Sequence, residues 1–142
     1  MITVPELAAE GLSDHLAKHM GRRFGSTDAR MTELIPLVAR LSLECIGNSD
    51  ALYHNVEHTM LVTLVGYDIM KGRALVKPTY ATDFAHVLVA CLLHDIGYVR
   101  GILSDDGPDG YVIDSRGGKT KLPRGSSDAA CFPSTWIDRS FT

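Results

Sequence analysis

Apolar residues that recur every three or four positions predict two helices in the first third of the chain. The first covers residues 4–20, where Gly11 interrupts the pattern. The second follows Thr32, a residue type that caps helices, and ends at Gly47. Pro36 falls in its first turn, where a missing backbone N–H costs little. Its apolar stripe, which we expect to face the core, consists of Leu34, Leu37, Val38, Leu41 and Cys45.

The middle third of the chain contains two further helical patterns. The spacing predicts a helix over residues 56–71, with Gly72 as its terminator. Thr82 then caps a predicted helix over residues 84–98. Within that helix, residues 87–93 are apolar without interruption, which is typical of a helix at the centre of a domain. Four helices in this order favour an all-α bundle.

Residues 101–142 have a different character, because they contain many glycines and prolines and no sustained helical period. We expect a loop-rich segment with one short hairpin. Residues 111–113 and 119–122 form its strands, and residues 114–118 form a turn that contains glycine. A segment this long without helices is unusual in a compact domain. It predicts a longer parent protein, in which further helices follow.

Composition narrows the possible functions. A chain of 142 residues, 45% of them hydrophobic, fits one domain over residues 1–142, with its helical core in residues 1–100. The formal charge of −3 gives no basic excess, which disfavours nucleic acid as a partner and favours a small substrate. Three widely spaced cysteines indicate a reducing compartment. The chain shows no signal-peptide pattern and no apolar run of roughly 18 residues, so we expect a cytoplasmic protein without membrane contact.

The strongest chemical signal is the pair His94 and Asp95, which follows the seven apolar residues of the fourth helix. An isolated carboxylate beside such a segment suffers a large desolvation cost. A divalent cation satisfies both side chains at once, through one nitrogen and one oxygen ligand. The pair therefore predicts a metal site at the end of this helix.

A second histidine element, Tyr-His-Asn-Val-Glu-His, opens the third helix and contains His54 and His58. If the helix already includes His54, both imidazoles lie on one face. On the same helix His58 lies on one face with Val62, Val65 and Ile69, so we expect it to point toward the core. Helices joined by a short connection pack antiparallel, which places the start of the third helix level with the end of the fourth. His58, His94 and Asp95 can therefore converge.

At these residues the chain resembles the HD superfamily of metal-dependent phosphohydrolases, whose signature is a histidine, a distant His-Asp pair and a later aspartate. The similarity covers residues 53–101 and implies an HD-domain-like helical bundle. It also implies His58, His94 and Asp95 as ligands of one or two divalent ions. Mn, Fe, Mg and Zn are all compatible with such ligands.

The resemblance further implies a reaction. The Tyr-His-Asn-x-x-His form is similar to that of cyclic-nucleotide phosphodiesterases, in which the first histidine protonates the departing oxygen. His54 takes that role here, because an imidazole carries a proton near neutral pH. The expected substrate is a small phosphate mono- or diester, nucleotide-like. Arg100 or Lys71 is a candidate for neutralising the phosphate.

Two positions depart from the family pattern. Asp138 is the nearest candidate for the later aspartate, although no helical stripe surrounds it. Tyr98 stands where some relatives carry a lysine and the phosphodiesterases a histidine, which leaves the subclass and the metal count open. Two alternatives to the enzyme therefore stay open: a noncatalytic HD module that binds metal or nucleotide, and a helical interaction domain without metal.

The other candidate residues favour ordinary structural roles. His15 and His19 have helical spacing but no third ligand, which favours exposed side chains. His86 is expected in the core or at its boundary, and Cys45 and Cys91 as small core residues. The acidic loop at residues 105–109 lacks the spacing of a calcium loop and predicts a solvated turn.

Overall fold

The computed structural model describes residues 1–49 and 51–121. In this part of the chain the fold is an all-α bundle of four helices, followed by a loop-rich segment with one small hairpin, as the sequence predicts. The helices are α1 (Val4–Phe24), α2 (Ala29–Ile46), α3 (Val56–Val76) and α4 (Ala81–Leu93). None of the helices in the described part has the length and hydrophobicity needed to cross a lipid bilayer.

The helix α4 lies at the centre of the bundle, since it packs against both α2 and α3 while α1 packs mainly on α2. Its side chains Phe84, Leu88 and Leu92 are fully buried. They join one hydrophobic core with residues of the other helices. The prediction that the fourth helix is central is therefore confirmed.

The ends of the helices differ from their predicted positions. The helix α2 begins at Ala29, because the carboxylate of Asp28, not Thr32, caps it by accepting from the Met31 backbone N–H at 3.1 Å. Pro36 consequently lies well inside the helix and not in its first turn. It is buried, and its carbonyl accepts from the Ser13 hydroxyl of α1 at 3.0 Å.

The other helices show similar shifts. The helix α1 runs through Gly11 and ends at Phe24, and α3 runs through Gly72 as far as Val76. The helix α4 begins after Tyr80, whose backbone N–H donates to the Asp83 carboxylate at 2.8 Å. It ends at Leu93, and a separate 3-10 turn, Ile96–Tyr98, follows.

Two predicted buried stripes are wrong. On α2, Leu37 and Leu41 are more than half exposed, and the buried positions are Ile35, Pro36, Ala39, Ser42, Leu43 and Ile46. On α3, Val65 and Ile69 are also more than half exposed, while Thr59, Thr63, Gly66, Tyr67 and Met70 are buried. Apolar residues occur on every side of α3, so hydrophobicity alone does not select the face that packs.

The predicted hairpin is confirmed. Strand β1 (Tyr111–Val112) pairs antiparallel with β2 (Lys119–Thr120). The turn is closed by the Asp114 carboxylate, which accepts from the backbone N–H groups of Arg116 and Gly118, both at 2.9 Å. Gly117 has a φ of 80°, a conformation that favours glycine. Leu122, the last residue of the predicted second strand, lies outside the described residues.

Candidate metal centre

His58 is positioned by the start of α3. Asn55 is the N-cap of this helix, and its side-chain oxygen accepts from the His58 backbone N–H at 3.0 Å. Asparagine satisfies a free N–H of the first turn in this way. The asparagine of the Tyr-His-Asn element therefore fixes where the helix begins and places His58 in its first turn.

His54 precedes α3, so the two histidines do not form a pair on one helical face. The helix begins at Val56, two residues later. The two rings still lie close, with centroids 5.5 Å apart and planes nearly perpendicular. Their proximity comes from the bend before the helix and not from helical spacing.

His94 and Asp95 are positioned by the end of α4. His94 is the C-cap, with φ −57° and ψ −30°, while Asp95 has left the helix, with φ −107° and ψ 6°. Neighbouring residues within a helix point about 100° apart. Because the chain turns between these two, both side chains reach the same point.

One ring nitrogen of His94 is held by the backbone. Its Nδ1 donates to the Cys91 carbonyl at 2.7 Å. A hydrogen bond of this kind orients a metal-binding imidazole and assigns the proton to the nitrogen that makes it. The other ring nitrogen, Nε2, faces His58 Nε2 and Asp95 Oδ2.

Three of the predicted ligand atoms lie at distances that suit one shared ion. His58 Nε2 and His94 Nε2 are 3.2 Å apart. Asp95 Oδ2 lies 3.4 Å from the first and 3.0 Å from the second. Metal bonds of about 2.0–2.2 Å at ordinary bond angles separate neighbouring ligand atoms by about 3.0–3.5 Å. The three side chains therefore converge as the sequence predicts, and the geometry can hold a divalent ion.

His54 lies at the edge of the same centre. Its Nδ1 is 2.8 Å from Asp95 Oδ2, and one ligand atom each of His54, His58 and Asp95 lie within 4.8 Å of one another. Its ring stacks on Tyr98, with centroids 4.3 Å apart and planes 23° from parallel. About a quarter of the His54 side chain is exposed.

Asp95 is the negatively charged residue of the site, and only 1% of its surface is exposed. Burial raises the pKa of this carboxyl, but hydrogen bonds with His94 and His54 outweigh it and hold the pKa below its usual value. The same hydrogen bond raises the pKa of His94, against the effect of burial. Burial lowers the pKa of His58, although the charge of Asp95 opposes it.

The second oxygen of Asp95 gives an independent sign that a cation fits. Asp95 Oδ1 is buried and has no hydrogen-bond partner among the described residues. A buried carboxylate oxygen without a partner is costly. A divalent ion bound beside it removes that cost, and the nitrogen and oxygen donors present here are ones that such ions accept.

Sequence reasoning missed the aromatic residues around the histidines. The Tyr53 ring lies 4.5 Å from that of His58 and 5.2 Å from that of His54. Tyr98, considered only as a departure from the family pattern, is buried beneath His54. Tyr53 is adjacent to His54 in the sequence, but no pattern there shows that its ring also covers His58.

Several other candidates lie elsewhere. Lys71 forms an ion pair with Asp68 at 2.9 Å. It lies thirteen residues after His58, about 20 Å along α3, so its predicted role at the phosphate is wrong. Arg100 lies over the Tyr111 ring of β1, 5.9 Å from its centre. His86 is exposed on α4. Asp138, the candidate for the later aspartate, lies outside the described residues.

The sequence predicts Cys91 as a small core residue and the acidic loop at residues 105–109 as a solvated turn. Cys91 is half-buried against α3, and burial raises the pKa of its thiol, which keeps it in the unreactive protonated form. The acidic loop is more than a solvated turn, because the Asp106 carboxylate accepts from the backbone N–H groups of Gly101 and Val112, at 2.9 and 2.8 Å. It thereby ties the loop to β1.

No curated protein and no solved structure matches this chain. A family model described as Npun_R2479-like matches residues 2–141, which is nearly the whole sequence, and the chain therefore belongs to the Npun_R2479-like family.

Proposed function

We propose that this protein is a metal-dependent phosphohydrolase of the HD type, acting on a small, nucleotide-like phosphate mono- or diester. One observation carries the proposal: His58, His94 and Asp95 come from two distant helix ends and place three ligand atoms within 3.4 Å of one another. A divalent cation held by these residues supplies Lewis-acid activation of water and neutralises charge on a phosphate.

The ligands hold their positions through the chain's own contacts. Asn55 fixes the backbone of His58, and the Cys91 carbonyl orients His94. Asp95, buried and ionised, supplies the negative charge that attracts a cation into the site. These contacts reduce the reorganisation that accompanies binding.

His54 handles the proton in this proposal. Contact of its Nδ1 with Asp95 and stacking on Tyr98 fix the ring plane, which leaves Nε2 to face a substrate. A proton on Nε2 passes to the departing alkoxide as its bond to phosphorus breaks. The role requires that His54 stay close to the ligands without being one.

A division of roles between the two histidines tests the proposal. Protein purified without chelator should contain a divalent ion, measured by elemental analysis. His58→Ala should lose it. His54→Gln should keep it, while turnover of a panel of phosphomonoesters and cyclic nucleotides falls by roughly 10²–10⁴-fold, the usual contribution of a general acid. His86→Gln, an exposed histidine of α4, is the matched control and should change neither.

Three results would contradict this scheme. Protein that binds none of Mn, Fe, Mg or Zn after equilibration with each would remove the metal centre. Metal loss in His54→Gln would make His54 a ligand instead of an acid. Full turnover in His58→Ala would place the chemistry elsewhere.

The noncatalytic HD module is the second candidate. One observation favours it: among residues 1–49 and 51–121 no carboxylate other than Asp95 joins the histidine cluster. Metal or nucleotide binding without turnover of any phosphoester would select this module over the enzyme. Wholly exposed His58 and His94 would support the metal-free interaction domain, and their side chains are 18% and 29% exposed.

A further inference from the structure

A cavity of about 490 Å³ lies at the other end of α4 from the metal centre. It is formed where the turn from α1 to α2 meets the connection from α3 to α4. The residues that line it are Arg23, Phe24, Thr27, Asp28, Thr79, Tyr80 and Ala81. The 13 residues of α4 separate this cavity from His94 by about 20 Å, so one small substrate does not reach both.

Arg23 is the cationic group of this cavity. Its guanidinium lies 5.1 Å from the centre of the Phe84 ring and 5.6 Å from that of Phe24. Both rings belong to the hydrophobic core and contact each other edge to face at 5.2 Å. Rings that are fixed in the core restrict the guanidinium that rests on them, which lowers the entropy lost when it binds an anion.

The charge of Arg23 is not neutralised by a neighbouring side chain. In the described part of the chain no carboxylate lies within ion-pair distance of it, and the four ion pairs there involve other residues. Asp28 lines the same cavity, but its Oδ1 accepts from the Met31 backbone N–H. The planar N–H donors of the guanidinium suit a phosphate group.

The remaining lining defines the rest of the ligand. Tyr80, about two-thirds exposed, offers an aromatic surface. The hydroxyl of Thr79 and the second carboxylate oxygen of Asp28 suit hydroxyl or amino groups of a ligand. The volume lies within the range of pockets that hold small organic ligands. We propose that this cavity binds an organic phosphate of nucleotide size, with its phosphate on Arg23 and its organic part against Tyr80 and Asp28.

Binding to the full chain in the presence of a chelator tests this proposal, because the metal centre then does not compete. Adenosine monophosphate, inorganic phosphate and adenosine are titrated by calorimetry and by backbone NMR. We expect the monophosphate to bind most tightly and to shift the amides of Thr27, Thr79 and Ala81. Arg23→Gln should weaken it by about 10–100-fold, since a hydrogen-bonded charge is lost. Arg22→Gln, an exposed neighbour outside the cavity, should leave the affinity unchanged.

Arg23→Lys keeps the charge without the planar fork and should give an intermediate loss, which also covers the case that Arg23→Gln fails to fold. Equal affinities of Arg23→Gln and Arg22→Gln, or no saturable binding up to about 10 mM, would overturn the site. Inorganic phosphate or adenosine binding as tightly as the monophosphate would overturn the assignment of the ligand. The His58→Ala variant should bind like the wild type, so failure of the metal centre and failure of this cavity are separate outcomes.

Discussion

The chain carries two pairs of histidines four positions apart, and the two pairs have opposite surroundings. His54 and His58 lie around the buried carboxylate of Asp95, at 2.8 and 3.4 Å. His15 and His19 lie on α1 with ring centroids 4.3 Å apart, and neither forms an ion pair with a carboxylate in the described residues. Equal spacing in the sequence therefore does not produce equal sites.

The difference lies in the charges around each pair. Burial lowers the pKa of His19 most, and the charges of His15, Arg22, Lys18 and Lys71 lower it further, so positive groups surround this ring. At the other pair, burial also lowers the pKa of His58, but there the negative charge of Asp95 opposes it and attracts positive charge. The two pairs therefore differ in the buried carboxylate that a second element of the fold supplies, which histidine spacing within one element does not reveal.

Asp95→Asn should lower the affinity for a divalent metal ion strongly. This change keeps the shape of the side chain and removes the charge that distinguishes the two histidine pairs. Loss of a group that only hydrogen-bonds to a metal ligand already costs about 10–100-fold in metal affinity. Asp95 is itself a proposed ligand, so we expect a loss of more than about 100-fold here. Competition with a fluorescent chelator measures it.

The double variant His15→Gln/His19→Gln is the matched control for the other pair. Its metal content and affinity should equal those of the wild type. A similar loss in both proteins would show that the α1 pair contributes to the metal site and that the proposed contrast is false.

A second substitution tests the close contact between α3 and α4, the helices next to the two histidine elements. Gly66 of α3 faces Cys91 of α4 so closely that a Cβ at this position would lie 2.7 Å from the Cys91 Sγ. Gly66→Ala should therefore lower the free energy of unfolding by about 1–3 kcal/mol through overpacking. Urea denaturation measures the change, and metal affinity should fall as α3 and α4 move apart.

A second glycine on the same helix gives the control. Gly72 is exposed and has open space around its Cα, so Gly72→Ala should stabilise the protein by about 0.5–1 kcal/mol. Adding Cys91→Ala to Gly66→Ala should recover part of the lost stability, because it empties the volume that the new methyl group needs. Equal stabilities of the two alanine variants would show that the helices do not depend on this close contact.

The same contact explains why the sequence predicts the elements better than their faces. The helices and the hairpin follow from local spacing and turn chemistry, and the convergence of His58, His94 and Asp95 follows from the antiparallel packing of two helices joined by a short connection. The buried face of α3 does not, because it is selected by the fit of Gly66 against Cys91 while larger apolar residues such as Ile69 remain outside. Shape complementarity between distant segments has no local signature.

Local sequence rules also do not predict where α2 begins and where α4 ends, and the end of α4 shapes the site. Thr32 and Asp28 are both capping residue types, and the choice of Asp28 places Pro36 inside α2, where its burial against α1 offsets the lost hydrogen bond. At α4 no glycine or proline precedes His94, yet the helix ends at Leu93. That early end is what allows the side chains of His94 and Asp95 to converge on one point.

The protonation of His19 in the α1 pair should change only slightly when its neighbour His15 is replaced. The pKa of His19 lies below its usual value of 6.5. As the pH falls, the unfolded chain therefore binds a proton at His19 before the folded protein does, so the free energy of unfolding decreases below pH 6.5.

His15→Gln removes one neighbouring positive charge and should raise the pKa of His19 only part of the way, since burial and the basic residues remain. An NMR titration of the His19 imidazole measures this, with His86→Gln as the variant that should change nothing. A pKa of His19 above 6.5, or one that does not respond to His15→Gln, would mean that the α1 pair is not the repulsive environment that separates it from the centre around Asp95.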